Sequence, residues 1–335
     1  MKYSAVIGCG YWGPNFIRVL SQQKFVPLKA ICDCDETKLN RLSGKFTGLN
    51  YFNDYKEILN DDSITAVVVS TPVKTHYKIV KELLLHHKHV LCEKPFTYTS
   101  EEAKELIEIA KKNNLVLMVG HTFLYNTSIQ FIYDWIKNTA FGNVLYVHFT
   151  RTGLGPVRSD VNVLWDLASH DISIILSLVN SKPVSVIAFG ENYLQKGIDD
   201  VVFLILQYNE NLIVKMHVSW LDPCKIRTMT IVGDKQMVVF DDVSLNEKVR
   251  IYDKGVDYQP RTGEFGEFQL SLRDGGISIP FIKPNEPLKQ EVEHFLDCIL
   301  NNKKTLTDGL NGLEVVKILE AAQKSLDNGN IKVQL

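Results

Sequence analysis

The first 120 residues alternate short apolar runs with amphipathic stretches. The apolar runs predict buried strands at 3–8, 28–33, 65–70, 89–92 and 115–120. Between them, apolar residues recur every three or four positions, which predicts helices at 13–21, 37–46, 74–87 and 100–112. Strands that alternate with helices at this spacing are typical of βαβ units, so we expect a parallel sheet in an α/β domain.

After about residue 125 the pattern changes. It predicts helices at 126–138, 161–179, 289–301 and 310–326, a strand at 144–150, and several β-rich runs between 184 and 251. A polar break at 208–211 indicates a hairpin turn, and the Gly- and Pro-rich residues 258–287 predict an irregular segment. We therefore expect an α+β domain with a mostly antiparallel open sheet at 123–335, after an α/β domain at 1–122.

Composition narrows the class of protein. The 335 residues are 45% hydrophobic, which is enough for folded cores, and 37 Lys and Arg against 39 Asp and Glu leave a net charge of −2. Proteins dedicated to nucleic acids are normally basic. No apolar run reaches the roughly 18 residues of a membrane span, and the N-terminal run leads into glycines instead of a signal-peptide cleavage site. We expect a cytoplasmic protein that binds neither nucleic acid nor membranes.

The six cysteines match no zinc-binding spacing, and we predict no metal site. The adjacent His86 and His87 do not change this, because neighbouring side chains on a helix point about 100° apart. A chain of this length does not need disulfides, so we expect free, mostly buried thiols.

One motif joins the first predicted strand to the first predicted helix: Gly-Cys-Gly-Tyr-Trp-Gly from Gly8 to Gly13. In this context G-x-G-x-x-G is the dinucleotide-binding fingerprint of a Rossmann fold. Gly8 permits the tight turn, Gly10 lets a pyrophosphate approach the backbone, and Gly13 allows close packing of helix on strand. Tyr11 and Trp12 either cover the cofactor or pack against the start of the helix.

An acidic residue is expected about 20 residues after this motif, where it would bind the ribose hydroxyls. Asp33 occupies that position, at the end of the second strand. A carboxylate repels a 2′-phosphate, and the next basic residues, Lys38 and Arg41, fall inside the following helix. We therefore favour NAD over NADP.

Two further groups of residues suggest catalytic chemistry. Lys94, in Glu93-Lys94-Pro95, follows a predicted strand and so lies at the edge where α/β sheets bind ligands. A lysine there either stabilises a developing alkoxide or is an ordinary surface lysine. Asp166 and His170 are four apart on a predicted helix and share a face. They form either a general base with its carboxylate partner or an unreactive helix pair.

Together, the glycine motif, Glu93-Lys94-Pro95 and Asp166-x-x-x-His170 resemble the glucose–fructose oxidoreductase/inositol dehydrogenase/MocA (Gfo/Idh/MocA) family. The resemblance covers nearly the whole chain. It implies an NAD-binding Rossmann domain and a C-terminal α+β domain whose open sheet forms a homodimer or homotetramer. It also implies hydride transfer between a sugar or cyclitol carbon and nicotinamide, with Lys94, Asp166 and His170 as catalytic residues. Further cofactor contacts are then expected from Ser70, Thr71, Pro72, His76 and Glu93.

Three segments, residues 10–15, 120–126 and 158–162, also resemble family members of bacterial nucleotide-sugar pathways, including UDP-N-acetylglucosamine 3-dehydrogenases. This finer resemblance implies oxidation at C3 of a nucleotide-linked amino sugar. Substrate contacts are expected from Lys94, Asp166 and His170, together with His121, Tyr125, Arg158 and Asn162. Arg158 could pair with a phosphate or carboxylate, or could be a surface arginine.

These residues suggest a mechanism in which His170 removes the hydroxyl proton, Asp166 orients the imidazole and Lys94 stabilises the oxyanion. Two alternatives remain open from the sequence. One is a cyclitol or free-sugar dehydrogenase, and the other is a dinucleotide-binding sensor without catalytic activity. The complete catalytic set argues against the sensor, because a sensor needs only the cofactor loop.

Overall fold

A computed structural model describes residues 2–138, 141–179, 181–260 and 268–335. The chain divides into two compact units, a first unit of residues 1–125 and 285–320 and a second unit of residues 126–284 and 321–335. This division departs from the two continuous ranges predicted above, 1–122 and 123–335, chiefly because residues 285–320 belong to the first unit. Among the described residues, no helix combines the length and the apolar character that crossing a membrane requires.

The first unit is a six-stranded parallel sheet in the order β3-β2-β1-β4-β5-β6. This is the strand order of a dinucleotide-binding Rossmann sheet. All the predicted strands and helices are present; β3 and α3, which are short, were missed. The elements of the first unit within residues 1–125 are β1 Tyr3–Ile7, α1 Gly13–Leu20, β2 Leu28–Cys32, α2 Glu36–Ser43, β3 Asn50–Phe52, α3 Lys56–Leu59, β4 Ile64–Val69, α4 Val73–Leu85, β5 His89–Glu93, α5 Ser100–Lys112, β6 Leu117–Gly120 and a 3-10 turn Thr122–Tyr125.

Helix α8, Pro287–Asn301, belongs to the first unit because of its apolar face. Val292 and Phe295 are fully buried in one core cluster with Phe16 and Ile17 of α1. Burying such side chains contributes roughly 1.5–3 kcal/mol each. Sequence periodicity predicts that a helix has an apolar face, but it does not say which distant element covers that face. The following helix, α9 Gly309–Asp327, begins in the first unit and ends in the second.

The second unit holds a nine-stranded sheet in the order β14-β13-β12-β11-β7-β10-β9-β8-β15. Its strand pairs are antiparallel except for β10 with β7, which confirms the mostly antiparallel α+β prediction. The predicted hairpin is present as a 3-10 turn, Asn209–Asn211, between β9 and β10. The elements are α6 Thr127–Asn138, β7 Val144–Leu154, α7 Ser169–Leu178, β8 Pro183–Glu191, β9 Val201–Tyr208, β10 Ile213–Ser219, β11 Leu221–Gly233, β12 Met237–Asp241, β13 Val249–Pro260, β14 Phe268–Ser278 and β15 Val333–Gln334.

The prediction of an irregular segment at 258–287 was wrong in part. Strand β13 continues to Pro260, and β14 pairs with it antiparallel from Phe268 to Ser278; residues 261–267 of the segment lie outside the described residues. Strand β12 pairs only with residues 249–252 of β13, so the rest of the hairpin continues beyond the sheet. Residues 268–273 do alternate apolar and polar side chains, but the glycines and prolines around them, at 260, 263, 266, 275 and 276, favoured the prediction of an irregular segment.

The two faces of the second sheet differ in what they expose. On β9, Val202 and Leu204 are buried, whereas Phe203 between them is 42% exposed. Phe203 pairs with Phe189 of β8 on one side, and its ring stacks on that of His217 of β10 on the other. Tyr146 and Ile213, also paired across strands, are 48% and 47% exposed. The outer face of the second sheet, defined by Phe189, Phe203, Tyr146 and Ile213, is therefore partly apolar, and these four side chains are only partly covered by the residues that the structure describes.

The predicted helix at 161–179 consists of a π-helical turn, Leu164–Ala168, followed by α7. Within otherwise apolar surroundings, α7 carries a charged residue, Asp171, that is 1% exposed. Its Oδ1 accepts hydrogen bonds from Nε of Arg151 at 3.0 Å and from Nη2 at 2.6 Å. Burial raises the pKa of Asp171, and the Arg151 guanidinium opposes that shift. The pair therefore attaches α7 to strand β7.

Replacing Asp171 tests how much this buried ion pair contributes. Asp171→Asn removes the negative charge that the buried Arg151 guanidinium contacts in α7, and we expect the free energy of unfolding to fall by about 3–5 kcal/mol. Urea denaturation measures the change. The control is Glu247→Gln, which removes an exposed partner of Arg250 and should change stability little. Equal effects of the two substitutions would contradict the anchoring role of Asp171.

Candidate active site

The glycine loop is folded tightly against the end of β4. Gly8 has a φ of +100°, and a Cβ on it would lie 2.6 Å from the backbone of Ser70. A Cβ on Gly13 would lie 2.2 Å from the carbonyl oxygen of Gly8, which in turn accepts a hydrogen bond from the Ser70 hydroxyl at 2.8 Å. Any side chain at Gly8 or Gly13 would therefore displace backbone.

Gly10 is in the opposite situation, because a Cβ there would meet nothing within 4 Å. It stands close to the N-terminus of α1, where Trp12 provides no side-chain cap and the first turn contains no acidic residue. Free amide groups at a helix N-terminus attract anions. The open space at Gly10 thus fits the pyrophosphate of a dinucleotide. Tyr11 is 83% and Trp12 40% exposed, so neither ring is buried against the helix.

Asp33 lies beside the glycine loop and is only 8% exposed. Its Oδ2 accepts a hydrogen bond from the backbone N–H of Cys9 at 2.6 Å, and its Oδ1 accepts one from the backbone N–H of Asp35 at 2.9 Å. The Lys38 ammonium is 3.6 Å from Oδ1. The carboxylate is therefore held in one orientation at the end of β2, next to the loop.

His76 connects two loops that were predicted to contact the cofactor. The imidazole Nε2 lies 2.8 Å from the carbonyl oxygen of Thr71, and Nδ1 lies 2.8 Å from that of Pro95. Pro72 is the N-cap residue of α4, directly after Thr71. His76 is 1% exposed. The structure thus brings Thr71 and His76 together with the loop that carries Lys94, and gives His76 contacts to backbone.

Lys94 follows the last residue of β5, Glu93, and the peptide bond from Lys94 to Pro95 is cis. The backbone N–H of Lys94 donates to Oε2 of Glu93 at 3.0 Å. Burial, and then the positive charge of Lys94, lower the pKa of His121 to about 3, so this imidazole is neutral near pH 7. Both ring nitrogens of His121 lack a hydrogen-bond partner among the described residues.

Sequence reasoning missed a second carboxyl group near Glu93. Glu291 of α8 is fully buried, and its Oε2 accepts a hydrogen bond from the Thr122 hydroxyl at 2.9 Å. Burial and then the charge of Glu93 raise the pKa of Glu291 well above its usual range. An acidic residue on the apolar face of α8 was the available signal, but its partners are distant in sequence.

In the second unit, Asp166 lies in the π-helical turn, a type of helix that is often found at functional sites. Its Oδ1 is 3.2 Å from Nη1 of Arg158, and its Oδ2 is 3.3 Å from the indole Nε1 of Trp220. Arg158 is also paired with Asp160. His170 follows in the first turn of α7, next to the anchored Asp171. Trp220 was not expected at this site, because nothing in the sequence brings it near Asp166.

The remaining residues expected to bind substrate make contacts within the protein. The amide nitrogen of Asn162 donates to Asp199 at 3.3 Å and to Gln323 at 2.9 Å. Tyr125 is 3% exposed and belongs to the core cluster of the first unit, with its hydroxyl 3.4 Å from that of Thr307. Both therefore have structural contacts, and their contact with substrate stays a prediction.

Comparisons with known proteins match both parts of the chain to one family. Residues 2–121 match the model of the GFO/IDH/MocA oxidoreductase family for its NAD-binding Rossmann fold. Residues 129–239 match the model of the GFO/IDH/MocA C-terminal domain.

Curated relatives and a solved structure agree with this match. UDP-N-acetylglucosamine 3-dehydrogenase of Acidithiobacillus ferrooxidans is 28% identical over 76% of each chain. An NADP-dependent scyllo-inositol 2-dehydrogenase of Bacillus subtilis is 26% identical over 96% of each chain. A dehydrogenase from Bordetella pertussis, solved with NADH and UDP-GlcNAcA, shares the fold with a TM-score of 0.81 at 20% identity, over 100% of this chain and 99% of the other. The chain is an NAD-binding oxidoreductase that belongs to the GFO/IDH/MocA family.

Proposed function

We propose that this oxidoreductase transfers a hydride between nicotinamide and C3 of a nucleotide-linked amino sugar, in bacterial surface-sugar biosynthesis. The match of the whole catalytic set to the family motifs carries the proposal: Lys94 in Glu93-Lys94-Pro95, and Asp166 with His170 in Asp166-x-x-x-His170. The similarity to UDP-N-acetylglucosamine 3-dehydrogenase supports the choice of substrate.

Each catalytic residue has one task in the proposed reaction. NAD supplies the hydride acceptor. His170 removes the proton of the sugar hydroxyl, while Asp166 orients the imidazole and balances its charge. The Lys94 ammonium stabilises the negative charge that develops on the oxygen as the carbon loses its hydride. A carbonyl is formed on the sugar and one proton is released.

Asp33 supports NAD over NADP as the cofactor. Its two oxygens already accept backbone N–H groups, so the carboxylate cannot turn away from a ligand on the loop without losing both hydrogen bonds. A 2′-phosphate would meet this negative charge. Lys38 is close enough to Asp33 to offset part of the repulsion, and we expect discrimination against NADP rather than complete exclusion of it.

Cofactor and substrate contacts follow from the same proposal. The pyrophosphate binds at Gly10 and the N-terminus of α1, with Tyr11 and Trp12 exposed beside it. The remaining cofactor contacts come from Gly8, Gly13, Ser70, Thr71, Pro72, His76, Glu93 and Lys94. Neutral His121, close to Lys94, is proposed to donate one hydrogen bond to the substrate or to accept one from it.

A cyclitol is the second candidate substrate, because the inositol dehydrogenase relative aligns over nearly the whole chain. We also propose that the protein is a cytoplasmic homodimer or homotetramer formed through the outer face of the second sheet. Uncovered apolar patches of this kind mark interfaces, and an even number of copies can cover the same face symmetrically.

Substitutions in the glycine loop test cofactor binding. Gly10→Val adds a side chain whose Cβ meets no protein atom within 4 Å, so NAD affinity should fall at least about 10-fold while the melting temperature stays unchanged. Gly13→Val is the matched comparison, because its side chain meets the Gly8 carbonyl, and it should lower both. Calorimetric titration with NAD and thermal denaturation measure these effects. Unchanged affinity in Gly10→Val would contradict this binding mode.

A substrate panel tests the reaction. The purified enzyme is given NAD+ or NADP+ with UDP-linked amino sugars, UDP-linked hexoses, free sugars and inositols, and absorbance at 340 nm reports reduced cofactor. We expect reduction with the UDP-linked amino sugars and NAD+. Reduction with inositols alone would favour the cyclitol dehydrogenase, and no reduction with tight NAD binding would favour a sensor.

Catalytic substitutions test the roles of the residues. Lys94→Ala and His170→Ala should each lower turnover on the order of 100-fold or more, because each removes a group that acts on the reacting oxygen. Lys104→Ala, at an exposed lysine of α5, is the control. If Lys94→Ala and His170→Ala both had the same turnover number as the Lys104→Ala control, the catalytic assignment would be wrong.

The interface proposal is tested by charge. Phe203→Glu combined with Ile213→Glu places two carboxylates on the outer face of the second sheet, where desolvating them would oppose association. Light scattering after gel filtration should show an oligomer for the wild type and the 38.1 kDa monomer for the variant. Phe25→Glu, at an exposed phenylalanine of the first unit, is the control. A monomeric wild type would contradict the proposal.

A further inference from the structure

We propose that Arg158 is a positioning residue that, together with Trp220, holds the Asp166 carboxylate for His170. Arg158 was expected to bind a phosphate or carboxylate of the substrate; its contacts assign it a different role. This inference rests on the proposed function, because Asp166 matters for catalysis only if it serves His170. All the residues that carry it lie in the second unit.

The Asp166 carboxylate is held at both oxygens. Nη1 of Arg158 donates to Oδ1 at 3.2 Å, and Nε1 of Trp220 donates to Oδ2 at 3.3 Å. One hydrogen bond leaves a carboxylate free to rotate about its Cβ–Cγ bond, whereas donors on both oxygens define its plane. Trp220 is 2% exposed, and its own backbone N–H donates to Asp200, so its indole is a fixed donor.

Arg158 is itself held in place. Nε and Nη2 of its guanidinium donate to the two oxygens of Asp160, at 2.9 and 2.6 Å, in the two-pronged geometry of strong arginine–carboxylate pairs. Its backbone carbonyl accepts a hydrogen bond from Gln195 at 3.1 Å. The hydrogen bonds to Asp160 and the nearby Asp166 raise the pKa of Arg158. Asp160 thus aims the remaining edge of the guanidinium at Asp166.

These contacts make a substrate-binding role costly for Arg158. Three of the five N–H groups of the Arg158 guanidinium already donate to Asp160 and Asp166, so a phosphate could bind only the remaining two, and both carboxylates would repel it. A residue that acts through Asp166 has a different kinetic signature from one that binds substrate. Loss of Arg158 should lower kcat and leave KM nearly unchanged.

Steady-state kinetics with the substrate found in the panel separate the two roles. For Arg158→Gln we expect kcat to fall about 10- to 100-fold, the loss that follows from a misplaced catalytic group, with little change in KM. Arg158→Lys keeps the charge but cannot bridge both carboxylates, and should give an intermediate loss. Arg250→Gln, at an exposed arginine paired with Glu247, should behave like the wild type. A raised KM with unchanged kcat would overturn the proposal in favour of substrate binding.

A double-mutant cycle tests whether Arg158 acts through Asp166. If it does, Arg158→Gln should lower kcat no further once Asp166→Asn is present. Multiplicative losses in the double variant would show that Arg158 acts independently of Asp166, and would also overturn the proposal.

An indole readout tests the geometry without any turnover. The chain contains four tryptophans, and in protein labelled with 15N-tryptophan the N–H signal of Trp220 is identified by its loss in Trp220→Phe. Arg158→Gln and Asp166→Asn should both shift this signal and leave those of Trp12 and Trp135 unmoved, and Arg250→Gln should move none. An unmoved Trp220 signal in Arg158→Gln means that Asp166 stays in place without Arg158, which refutes the positioning role. If none of the sugars in the panel supports cofactor reduction by the wild type, the proposed function fails. The indole signals still show whether Arg158 positions Asp166.

Discussion

Helix α7 is attached to the sheet of the second unit by one buried ion pair, Arg151 with Asp171. The helix buries residues on nearly every side, so apolar burial alone does not determine its rotation about its own axis. Two N–H groups of Arg151 donate to the same oxygen of Asp171. Because these hydrogen bonds are directional, they favour one rotation of the helix about its axis. His170 directly precedes Asp171, and Asp166 lies one turn earlier. The orientation of the proposed catalytic pair therefore depends on a residue that has no part in the proposed reaction.

In the first unit, close backbone packing rather than an ion pair fixes the positions of the residues around the glycine loop. Gly8, Gly13 and Ser70 approach so closely that the loop admits no side chain at either glycine, so backbone atoms shape the proposed cofactor site. The His76 ring lies 2.8 Å from the carbonyl oxygens of both Thr71 and Pro95, so it packs between the loop after β4 and the loop that carries Lys94. Both units place functional groups by polar contacts that are shielded from water, where such contacts are stronger than on the surface.

The sequence predicted which residues could carry out the chemistry of these sites better than it predicted the residues that hold them in place. The glycine motif, Asp33, Lys94, Asp166 and His170 could be recognised because fixed spacings place them at strand ends or on one helix face. The π-helical turn under Asp166, the indole of Trp220 and the buried Glu291 could not. Trp220 is 54 residues from Asp166 and Glu291 is 169 residues from Thr122, and local periodicity carries no information about contacts over such separations. The β13–β14 hairpin was missed for a different reason, because the glycines and prolines in and around it favoured an irregular segment even though residues 268–273 alternate apolar and polar side chains.

The sequence by itself determined the family, the parallel and antiparallel character of the two sheets, and the residues capable of acid–base and anion-binding chemistry. These properties follow from short-range rules of spacing and periodicity. The tertiary structure decided which unit holds residues 285–320, which carboxyl groups are buried next to one another, and which carboxylates Arg158 contacts. The guanidinium of an arginine binds any planar carboxylate or phosphate within reach, and only the folded chain showed that Asp160 and Asp166 are already within reach of Arg158.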